Sequence, residues 1–423
     1  MKLLIIGNSA ASVGASEAFR KHDRVSEVTV VSDESFPVYS RCMLSYFLSN
    51  RIDESRLLFR PPDFHKDLNI QTVLGERIET VDTDRQQAVS RSDKVFDFDQ
   101  LLIATGSSPK IPDSIPFDTK GVFVLRTLED ACGIKSYTDK TRNAIILGGG
   151  LVGMKAAFAL QKRGLHVTVV VRSPHVLSQM IDYEAAQIVM ERLAQNGIEV
   201  HTGSDIVGVK TRDGKLNSVR LNVELDLPCE MLIVAKGVQS NMGLIRDTAI
   251  EQHWGIMTDS TMRTSIENVY AAGDVAETMD IATGERSVNA LWTCAIQQGR
   301  IAGLNMAGQA KQYDGSVGLN SINFPGVDLI SFGVVKVKEN SDYETVNVSR
   351  PETGIYKKLI LKEGKIKGLI LVNAIDNAGI LLSLLSRKVD VNEFKEELLG
   401  DQFGYGKLIG HLGQDAVKQY REA

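Results

Sequence analysis

The chain has 423 residues, of which 43% are hydrophobic and 24% are charged, as is ordinary for a globular protein of two or three domains. Its net charge of -5 gives no reason to expect nucleic acid or an anionic membrane as a partner. No run of apolar residues is long enough to predict a membrane span, and the short N-terminal run leads straight into structure. We therefore expect a cytoplasmic protein.

The cysteines and histidines do not cluster in the sequence. Cys42, Cys132, Cys229 and Cys294 stand far apart, and the 7 histidines are equally scattered. Without a C-x-x-C or Cys/His group, the sequence predicts no metal site and no iron–sulfur cluster held by this chain. In a cytosolic protein each cysteine is expected to be a free thiol.

A glycine-rich turn in the middle of the chain is the strongest motif. The apolar run 144–147 precedes Gly148, Gly150 and Gly153, and a helical pattern and a second apolar run, 167–171, follow. This strand, turn, helix, strand order is the context of a dinucleotide fingerprint. Gly148 allows a tight turn, Gly150 lets a pyrophosphate approach the backbone, and Gly153 lets the helix lie close to the strand. The phosphates would rest on the N-terminus of the helix.

A second unit of the same kind opens the chain. We expect a strand at 3–6, a turn at 7–12, a helix at 13–22 and a strand at 27–31. The acidic pair Asp33-Glu34 follows at the distance where a carboxylate would accept a ribose hydroxyl. Serines stand at two positions where glycine is usual, but their side chains are small enough to leave room for a pyrophosphate. The candidate cradle residues are Gly7, Ser9, Ala10, Ala11 and Ser12.

Two shorter elements accompany these units. Ala104, Thr105 and Gly106 form a small-residue turn after an apolar strand. Much later, the apolar run 269–271 leads into Gly273-Asp274, which we expect at the head of a helix. An aspartate there could bind a polyol hydroxyl while the helix N-terminus faces a flavin.

The four motifs in this order resemble the flavoproteins with two dinucleotide-binding domains, the pyridine nucleotide–disulfide oxidoreductase superfamily, over roughly residues 1–310. The resemblance implies an α/β fold of two nested Rossmann-like domains. FAD would bind to a discontinuous domain, 1–111 and 242–313, and NAD(P)H to the domain inserted in it, 112–241. A C-terminal α+β interface domain, 314–423, would follow.

The resemblance also implies cofactor contacts beyond the motifs. A segment around residues 291–300 resembles the helix whose N-terminus faces the flavin pyrimidine. The implied FAD contacts are Arg41, Cys42, Ile78, Trp292 and Ala295, and the implied nucleotide contacts are Leu151, Val152, Val171, Arg172 and Gly237.

Two residues depart from the family pattern in the nucleotide unit. The position of the usual acidic residue is Val171, and the next residue, Arg172, could meet a 2′-phosphate. The sequence therefore leaves NADPH as a possible cofactor. NADH is favoured, because Arg172 can equally be a solvated surface residue that meets no 2′-phosphate. Lys155 stands where family members carry a glutamate paired with a lysine, whose position here is Tyr46. A lysine there would favour an anionic reduced flavin or a nearby thiolate, unless it reaches to solvent.

Cys42 allows two interpretations. It aligns with the single redox cysteine of the coenzyme A disulfide reductases, NADH oxidases and persulfide reductases, which need one cysteine because the substrate brings the second sulfur. The surrounding residues 39–45 instead resemble the rubredoxin reductases and the flavin part of the nitrite reductases. A free cysteine is also commonly a small buried hydrophobe without chemistry.

The C-terminal part favours the rubredoxin reductase branch. From Tyr313 we expect a strand-rich domain with a hairpin of 356–361 and 367–372, and then a helix at 377–386. The Tyr-Ala-Pro-Pro segment of the disulfide branch is absent, and residues 403–406 form the only aromatic cluster in a comparable place. The charged end, 414–423, could dock a partner or form a fraying tail.

The sequence thus predicts an FAD-dependent NAD(P)H oxidoreductase that passes electrons between a nicotinamide nucleotide and a protein partner. That partner would be a rubredoxin, a ferredoxin or an iron–sulfur subunit, with the direction open. The alternative is a coenzyme A disulfide, persulfide or polysulfide reductase, or an NADH oxidase, with Cys42 and Lys155 as catalytic residues. A structural or nucleotide-sensing subunit without enzymatic activity is a third interpretation. The resemblance implies a homodimer or a hetero-complex.

Overall fold

A computed structural model describes residues 1–338 and 340–411 of the chain. The strands are β1 (Lys2–Ile6), β2 (Glu27–Ser32), β3 (Gln71–Leu74), β4 (Ile78–Asp82), β5 (Gln87–Ser90), β6 (Val95–Asp97), β7 (Gln100–Ile103), β8 (Ser107–Pro109), β9 (Val122–Phe123), β10 (Asn143–Leu147), β11 (His166–Val170), β12 (Ile198–His201), β13 (Ile206–Arg212), β14 (Lys215–Leu221), β15 (Asp226–Pro228), β16 (Met231–Val234), β17 (Val238–Ser240), β18 (Ile256–Met257), β19 (Val269–Ala271), β20 (Ala276–Met279), β21 (Arg286–Ser287), β22 (Leu319–Phe324), β23 (Val327–Gly333), β24 (Glu344–Arg350), β25 (Ile355–Lys362) and β26 (Lys365–Val372). The helices are α1 (Ala10–Arg20), α2 (Leu44–Leu48), α3 (Phe64–Asp67), α4 (Leu128–Tyr137), α5 (Leu151–Gln161), α6 (Tyr183–Gln195), α7 (Trp292–Met306) and α8 (Ala378–Ser386).

The first sheet is parallel, with the strand order β19-β7-β1-β2-β3. The inner strands β7 and β1 and the edge strand β19 are almost entirely buried apolar runs, as expected where both faces of a sheet are covered, whereas the edge strand β3 is largely exposed. The predicted strand, turn, helix, strand order is confirmed, but α1 begins at Ala10, earlier than the predicted residue 13. The helix starts within the turn because Ser9 is extended (φ -138°) and the chain enters helix directly after it.

The second sheet is also parallel, in the order β12-β11-β10-β16-β9. Its central strand β10 is followed by the glycine turn and by α5, as the fingerprint predicted. An antiparallel hairpin, β13-β14-β15, covers the face opposite α5 with apolar residues such as Leu216 and Val219. The doubly wound α/β fold is therefore confirmed for this part of the chain.

The third large sheet is antiparallel, in the order β22-β23-β26-β25-β24, with α8 beside it. It is anchored to the second sheet's domain: the rings of Phe158 and Phe324 stack with centroids 4.4 Å apart. The Asp182 carboxylate accepts a hydrogen bond from the Tyr356 hydroxyl at 2.7 Å and another from Lys358 Nζ at 2.9 Å. The predicted hairpin is present, and its turn places Glu363 and Gly364 at positive φ.

The prediction of a helix at Gly273-Asp274 is wrong. Gly273 has φ +86° and turns the chain from β19 toward β20, and the next helix, α7, begins only at Trp292. The physical reason is that the Asp274 side chain does not cap a helix but binds Arg126 and Ser107 from distant parts of the chain.

The first sheet takes its strands from both sides of the second sheet in the chain, since β1 and β7 precede it and β19 follows it. The domain bounds given above stay a prediction. Within residues 1–338 and 340–411, no helix has the length and apolar character needed to cross a membrane. The predicted charged tail, 414–423, lies outside the described residues.

Arg20, at the end of α1, joins the first sheet's domain to two loops. The residue is 6% exposed, and its guanidinium donates to the backbone oxygens of Leu68 (2.8 Å), Asn69 (2.8 Å), Ser26 (2.9 Å) and Asp23 (3.2 Å). We expect Arg20→Met to lower the free energy of unfolding of this domain by about 3 kcal/mol, because these acceptors lose their donor. Denaturant unfolding followed by circular dichroism measures the change.

The matched control for Arg20→Met is Arg24→Met, since Arg24 is exposed. Its effect should stay below about 0.5 kcal/mol. Equal losses for the two variants would show that the four carbonyl contacts do not hold the domain together.

Candidate active site

The two glycine turns occupy equivalent positions at the carboxyl ends of the two parallel sheets. Gly7 has φ +116°, and a Cβ atom there would lie 2.2 Å from the Ala104 carbonyl oxygen. Gly148 has φ +126°, and its Cβ would lie 2.2 Å from the Ala235 carbonyl oxygen. Only glycine fits such a position. The structure therefore brings Gly7 against the Ala104-Thr105-Gly106 element and builds the second turn in the same way.

The other two glycines of the second turn have different surroundings. A Cβ at Gly153 would lie 2.0 Å from the Gly148 carbonyl oxygen, so this glycine lets α5 lie close to the turn. Gly150 is exposed, and among the described atoms nothing lies within 4 Å of its Cβ position. Leu151 and Val152 begin α5 next to this open space, and Val152 is exposed. A pyrophosphate could therefore approach the helix N-terminus here.

The first turn fits a bound dinucleotide on independent grounds. Both polar side-chain atoms of Asn8 and the Ser12 hydroxyl are buried and have no hydrogen-bond partner among the described residues. Buried polar groups without partners commonly mark a missing ligand or water. A Cβ at Gly273 would lie 3.3 Å from Ala11 Cβ and 3.6 Å from Ala295 Cβ, so three predicted FAD contacts converge beside the turn. Ser9 and Ala10 lie at the start of α1.

Asp274 is bound by side chains that the sequence did not connect to it. Arg126 Nη2 donates to Asp274 Oδ2 at 2.7 Å, and the Ser107 hydroxyl donates to the same oxygen at 3.0 Å. Both bonds use Oδ2, which leaves Oδ1 for a ligand hydroxyl. Arg126 is 148 residues away along the chain, and no local spacing indicates the pair.

The two members of the acidic pair differ in their surroundings. Glu34 forms an ion pair with Arg41 and accepts a hydrogen bond from the Tyr39 hydroxyl. Arg41 also donates to the Arg126 carbonyl oxygen at 2.9 Å, so it links this loop to the partner of Asp274. Asp33 is exposed. We propose Asp33 as the acceptor of a ribose hydroxyl and Glu34 as the residue that positions Arg41.

Cys42 lies between the two glycine turns, because it interacts electrostatically both with Lys155 on α5 and with Asp274 beside the first turn. Part of the residue is exposed to solvent, but the protein atoms around the thiol reduce its contact with water. This partial burial raises the pKa of the thiol. Lys155 acts in the opposite direction and lowers this pKa, whereas Asp274 raises it. The net direction is upward, so the protein around Cys42 does not by itself favour the thiolate.

The aromatic residue at the start of α7 is partly buried against the first sheet's core. Trp292 meets the ring of Phe59 edge to face, with centroids 5.1 Å apart. The N-terminus of α7, a helix of 15 residues, can stabilise negative charge on a ligand beside it.

Tyr46 stands at the position where relatives are expected to carry a lysine. The guanidinium of Arg51 lies over its ring, 4.8 Å from the centroid.

The remaining predicted contacts fall into two groups. Ile78 is buried in the core of the first sheet's domain, and the Thr105 hydroxyl donates to the Asn241 carbonyl oxygen at 2.8 Å. At the nucleotide edge, Val171 is buried, whereas Arg172 and Gly237 are exposed. In the described part of the chain, no three metal-ligating side chains cluster.

The chain belongs to the pyridine nucleotide-disulphide oxidoreductase family, whose model matches residues 1–299. The rubredoxin NAD+ reductase C-terminal domain matches residues 319–389. Both the superfamily and the branch that the sequence resembles are confirmed. The chain is accordingly an FAD-dependent oxidoreductase of NAD(P)H, as predicted.

Three relatives illustrate the range of this family. The chain is 32% identical over 413 residues, which cover 96% of it and 97% of the relative, to the epsilon subunit of the NADH-dependent phenylglyoxylate dehydrogenase of Aromatoleum evansii. It is 28% identical to the rubredoxin-NAD(+) reductase of Pseudomonas putida, over 65% of this chain and 72% of the relative. Among solved structures, an NAD-dependent persulfide reductase from A. fulgidus superposes with a TM-score of 0.86 and 25% identity, over 93% of this chain and 78% of the other.

Proposed function

We propose that the chain is the flavin subunit that exchanges electrons between NAD(P)H and a protein carrier. The carrier is a rubredoxin, a ferredoxin or an iron–sulfur subunit of a larger complex. Bound FAD supplies the chemistry that links hydride transfer to transfer of single electrons. The chain's own residues hold the pyrophosphates at two glycine turns, anchor the ribityl chain at Asp274 and present the N-terminus of α7.

One observation carries the proposal: the match to the epsilon subunit of an NADH-dependent dehydrogenase extends over nearly the full length of both chains. Such a subunit needs no redox cysteine, because the partner provides the one-electron centre. The C-terminal domain of the rubredoxin reductase type supports the same reading. We propose a hetero-complex or a homodimer as the assembly, and the cytoplasm as the location.

The state of Cys42 also supports this reading. A thiolate attacks disulfides and persulfides, whereas a protonated thiol is a poor nucleophile. Burial raises the pKa of the Cys42 thiol in spite of Lys155. In the electron-transfer reading, Lys155 stabilises negative charge at the flavin–nicotinamide contact, and Cys42 is a bystander.

A thiol-redox function is the second candidate, because Lys155 and Cys42 are close enough to interact electrostatically. The likeness to a persulfide reductase supports it. A bound flavin or substrate would change the surroundings of Cys42, and positive charge from Lys155 would then favour the thiolate.

Replacing Cys42 separates the two candidates. We expect Cys42→Ser to keep NADH-driven reduction of a dye and of rubredoxin or ferredoxin within about twofold of the unchanged protein, because the sulfur takes no part in electron transfer. Turnover of coenzyme A disulfide and of polysulfide should be low in both proteins. Steady-state assays with the three kinds of acceptor measure this.

The control for Cys42→Ser is Cys132→Ser, a half-buried cysteine on α4 outside the cradles. The thiol-redox function would replace our proposal if the unchanged protein turned over disulfides rapidly and only Cys42→Ser lost this activity. A long-wavelength charge-transfer absorbance that alkylation of Cys42 removes would lead to the same conclusion.

A further inference from the structure

An ion pair that none of the predicted contacts includes lies at the carboxyl edge of the second sheet. Lys236 follows β16, and its Nζ atom lies 2.9 and 3.1 Å from the two carboxylate oxygens of Asp205. The two side chains are 23% and 28% exposed. The pair therefore faces solvent while its geometry is restrained by the protein around it.

The lysine end of the pair lies beside the glycine turn. A Cβ at Gly148 would lie 2.2 Å from the Ala235 carbonyl oxygen and 3.4 Å from the backbone nitrogen of Lys236. The Lys236 backbone therefore packs directly against the turn that we propose for the nucleotide pyrophosphate.

The aspartate end lies on the other side of that turn. Asp205 belongs to the loop after β12, and this loop is bonded to the end of β11: Ser204 N donates to the Val171 oxygen at 3.1 Å, and Gly203 N donates to the Ser173 oxygen at 3.2 Å. Strand β10, which leads into Gly148, lies between β16 and β11 in the sheet. The Lys236 side chain therefore spans the end of β10.

This path coincides with the place of a dinucleotide in a doubly wound sheet. The ligand crosses the carboxyl edge, with its pyrophosphate at the glycine turn and its adenosine ribose at the end of the next strand. In this chain those places are Gly150 and the Val171-Arg172 segment. A dinucleotide bound there would lie along the Lys236–Asp205 pair.

Resting on the function proposed above, we propose that Lys236 contacts the bound nucleotide and that Asp205 sets its selectivity by holding Lys236 in a neutral pair. A 2′-phosphate adds roughly 1.5 to 2 negative charges, which the Asp205 carboxylate repels and which a neutralised Lys236 attracts only weakly. The pair therefore favours NADH over NADPH, although the position of the usual carboxylate is taken by Val171.

Asp205→Asn tests the selectivity directly. Asparagine keeps the side-chain oxygen that accepts from Ile206 N at 3.0 Å, but it removes the negative charge that neutralises Lys236. Dissociation constants of NAD+ and NADP+ are measured by calorimetry on the oxidised, FAD-loaded protein. We expect NADP+ to bind roughly tenfold more tightly and NAD+ less than threefold more tightly, with the gain lost at high salt. An NADP+ to NAD+ affinity ratio that stays within about twofold of the original overturns the proposal.

Lys236→Met tests the contact between Lys236 and the nucleotide, and it should weaken binding where Asp205→Asn strengthens it. It leaves Asp205 unpaired at the edge, so both nucleotides should bind more weakly, by roughly three- to tenfold, and NADP+ should lose more. Lys210→Met is the matched control, because it breaks the Lys210–Asp226 ion pair on the hairpin β13-β14-β15 and should change neither constant. Equal effects of Lys236→Met and Lys210→Met also overturn the proposal.

These experiments are independent of the electron acceptor. Binding is measured without turnover, so a failure to reduce any protein carrier would contradict the proposed function and leave the affinities interpretable. FAD content and far-ultraviolet circular dichroism verify that each variant is folded.

Discussion

Gly148→Ala should abolish reduction of the flavin by NADH, with a rate loss above about 100-fold, while FAD stays bound. The added Cβ would overlap the Ala235 carbonyl oxygen at 2.2 Å, and φ +126° is strained for alanine, so the turn between β10 and α5 must open. Stopped-flow reduction by NADH measures the loss, and chemical reduction by dithionite should be unchanged. Gly7→Ala makes the same change at the first turn and should yield protein without flavin.

Gly150→Ala distinguishes damage to the chain from interference with a ligand. No described atom lies within 4 Å of the Cβ position at Gly150, so the variant should be as stable as the unchanged protein. The methyl group would nevertheless occupy the space that we assign to the pyrophosphate. NADH should then bind at least about tenfold more weakly, whereas unchanged NADH binding would contradict the placement of the nucleotide.

Asp274→Ala should weaken FAD binding by roughly 100-fold, or about 2.7 kcal/mol. The variant removes the proposed acceptor of a ribityl hydroxyl and leaves Arg126 without its carboxylate, and hydrogen bonds to charged groups contribute about 1.5 to 3 kcal/mol. The dissociation constant is obtained from the fluorescence of released FAD. Arg126→Met should cost less, roughly tenfold, because it frees Asp274 but keeps the acceptor.

The control for this pair is Asp226→Ala. Arg220 Nε donates to one carboxylate oxygen of Asp226 at 2.9 Å and Lys210 donates to the other, so Asp226 is a second paired carboxylate, placed on the hairpin β13-β14-β15 rather than beside the first turn. Its replacement should not change FAD affinity. If Asp274→Ala binds FAD as tightly as Asp226→Ala does, then Asp274 does not contact the cofactor.

The fold could be predicted from the sequence because its signals are local. The change from an apolar run to a small-residue turn and then to a helical pattern lies within 20 or so residues in each unit. The same local reading failed at Gly273-Asp274, where a glycine and an aspartate are typical of a helix start. The conformation at Asp274 depends on Arg126, which is 148 residues away along the chain and binds the Asp274 carboxylate.

The candidate site could be predicted only where a motif contains the residue. Gly148, Gly150 and Gly153 each have the surroundings that a cradle needs. Lys236 and Asp205 are 31 residues apart, in the segments that follow β16 and β12, and only the sheet order brings these segments to one edge. Cys42 shows the same limit, because its pKa depends first on burial and then on Lys155 and Asp274, which come from different parts of the chain.

Anaerobic titration of the purified protein with NADH tests whether the chain carries electrons from the nucleotide through FAD to a protein. We expect a yellow protein whose flavin absorbance is bleached by one equivalent of NADH and restored when an oxidised rubredoxin or ferredoxin is added. A colourless protein that cannot be reconstituted with FAD, or a flavin that neither NADH nor NADPH reduces, would contradict the proposed function.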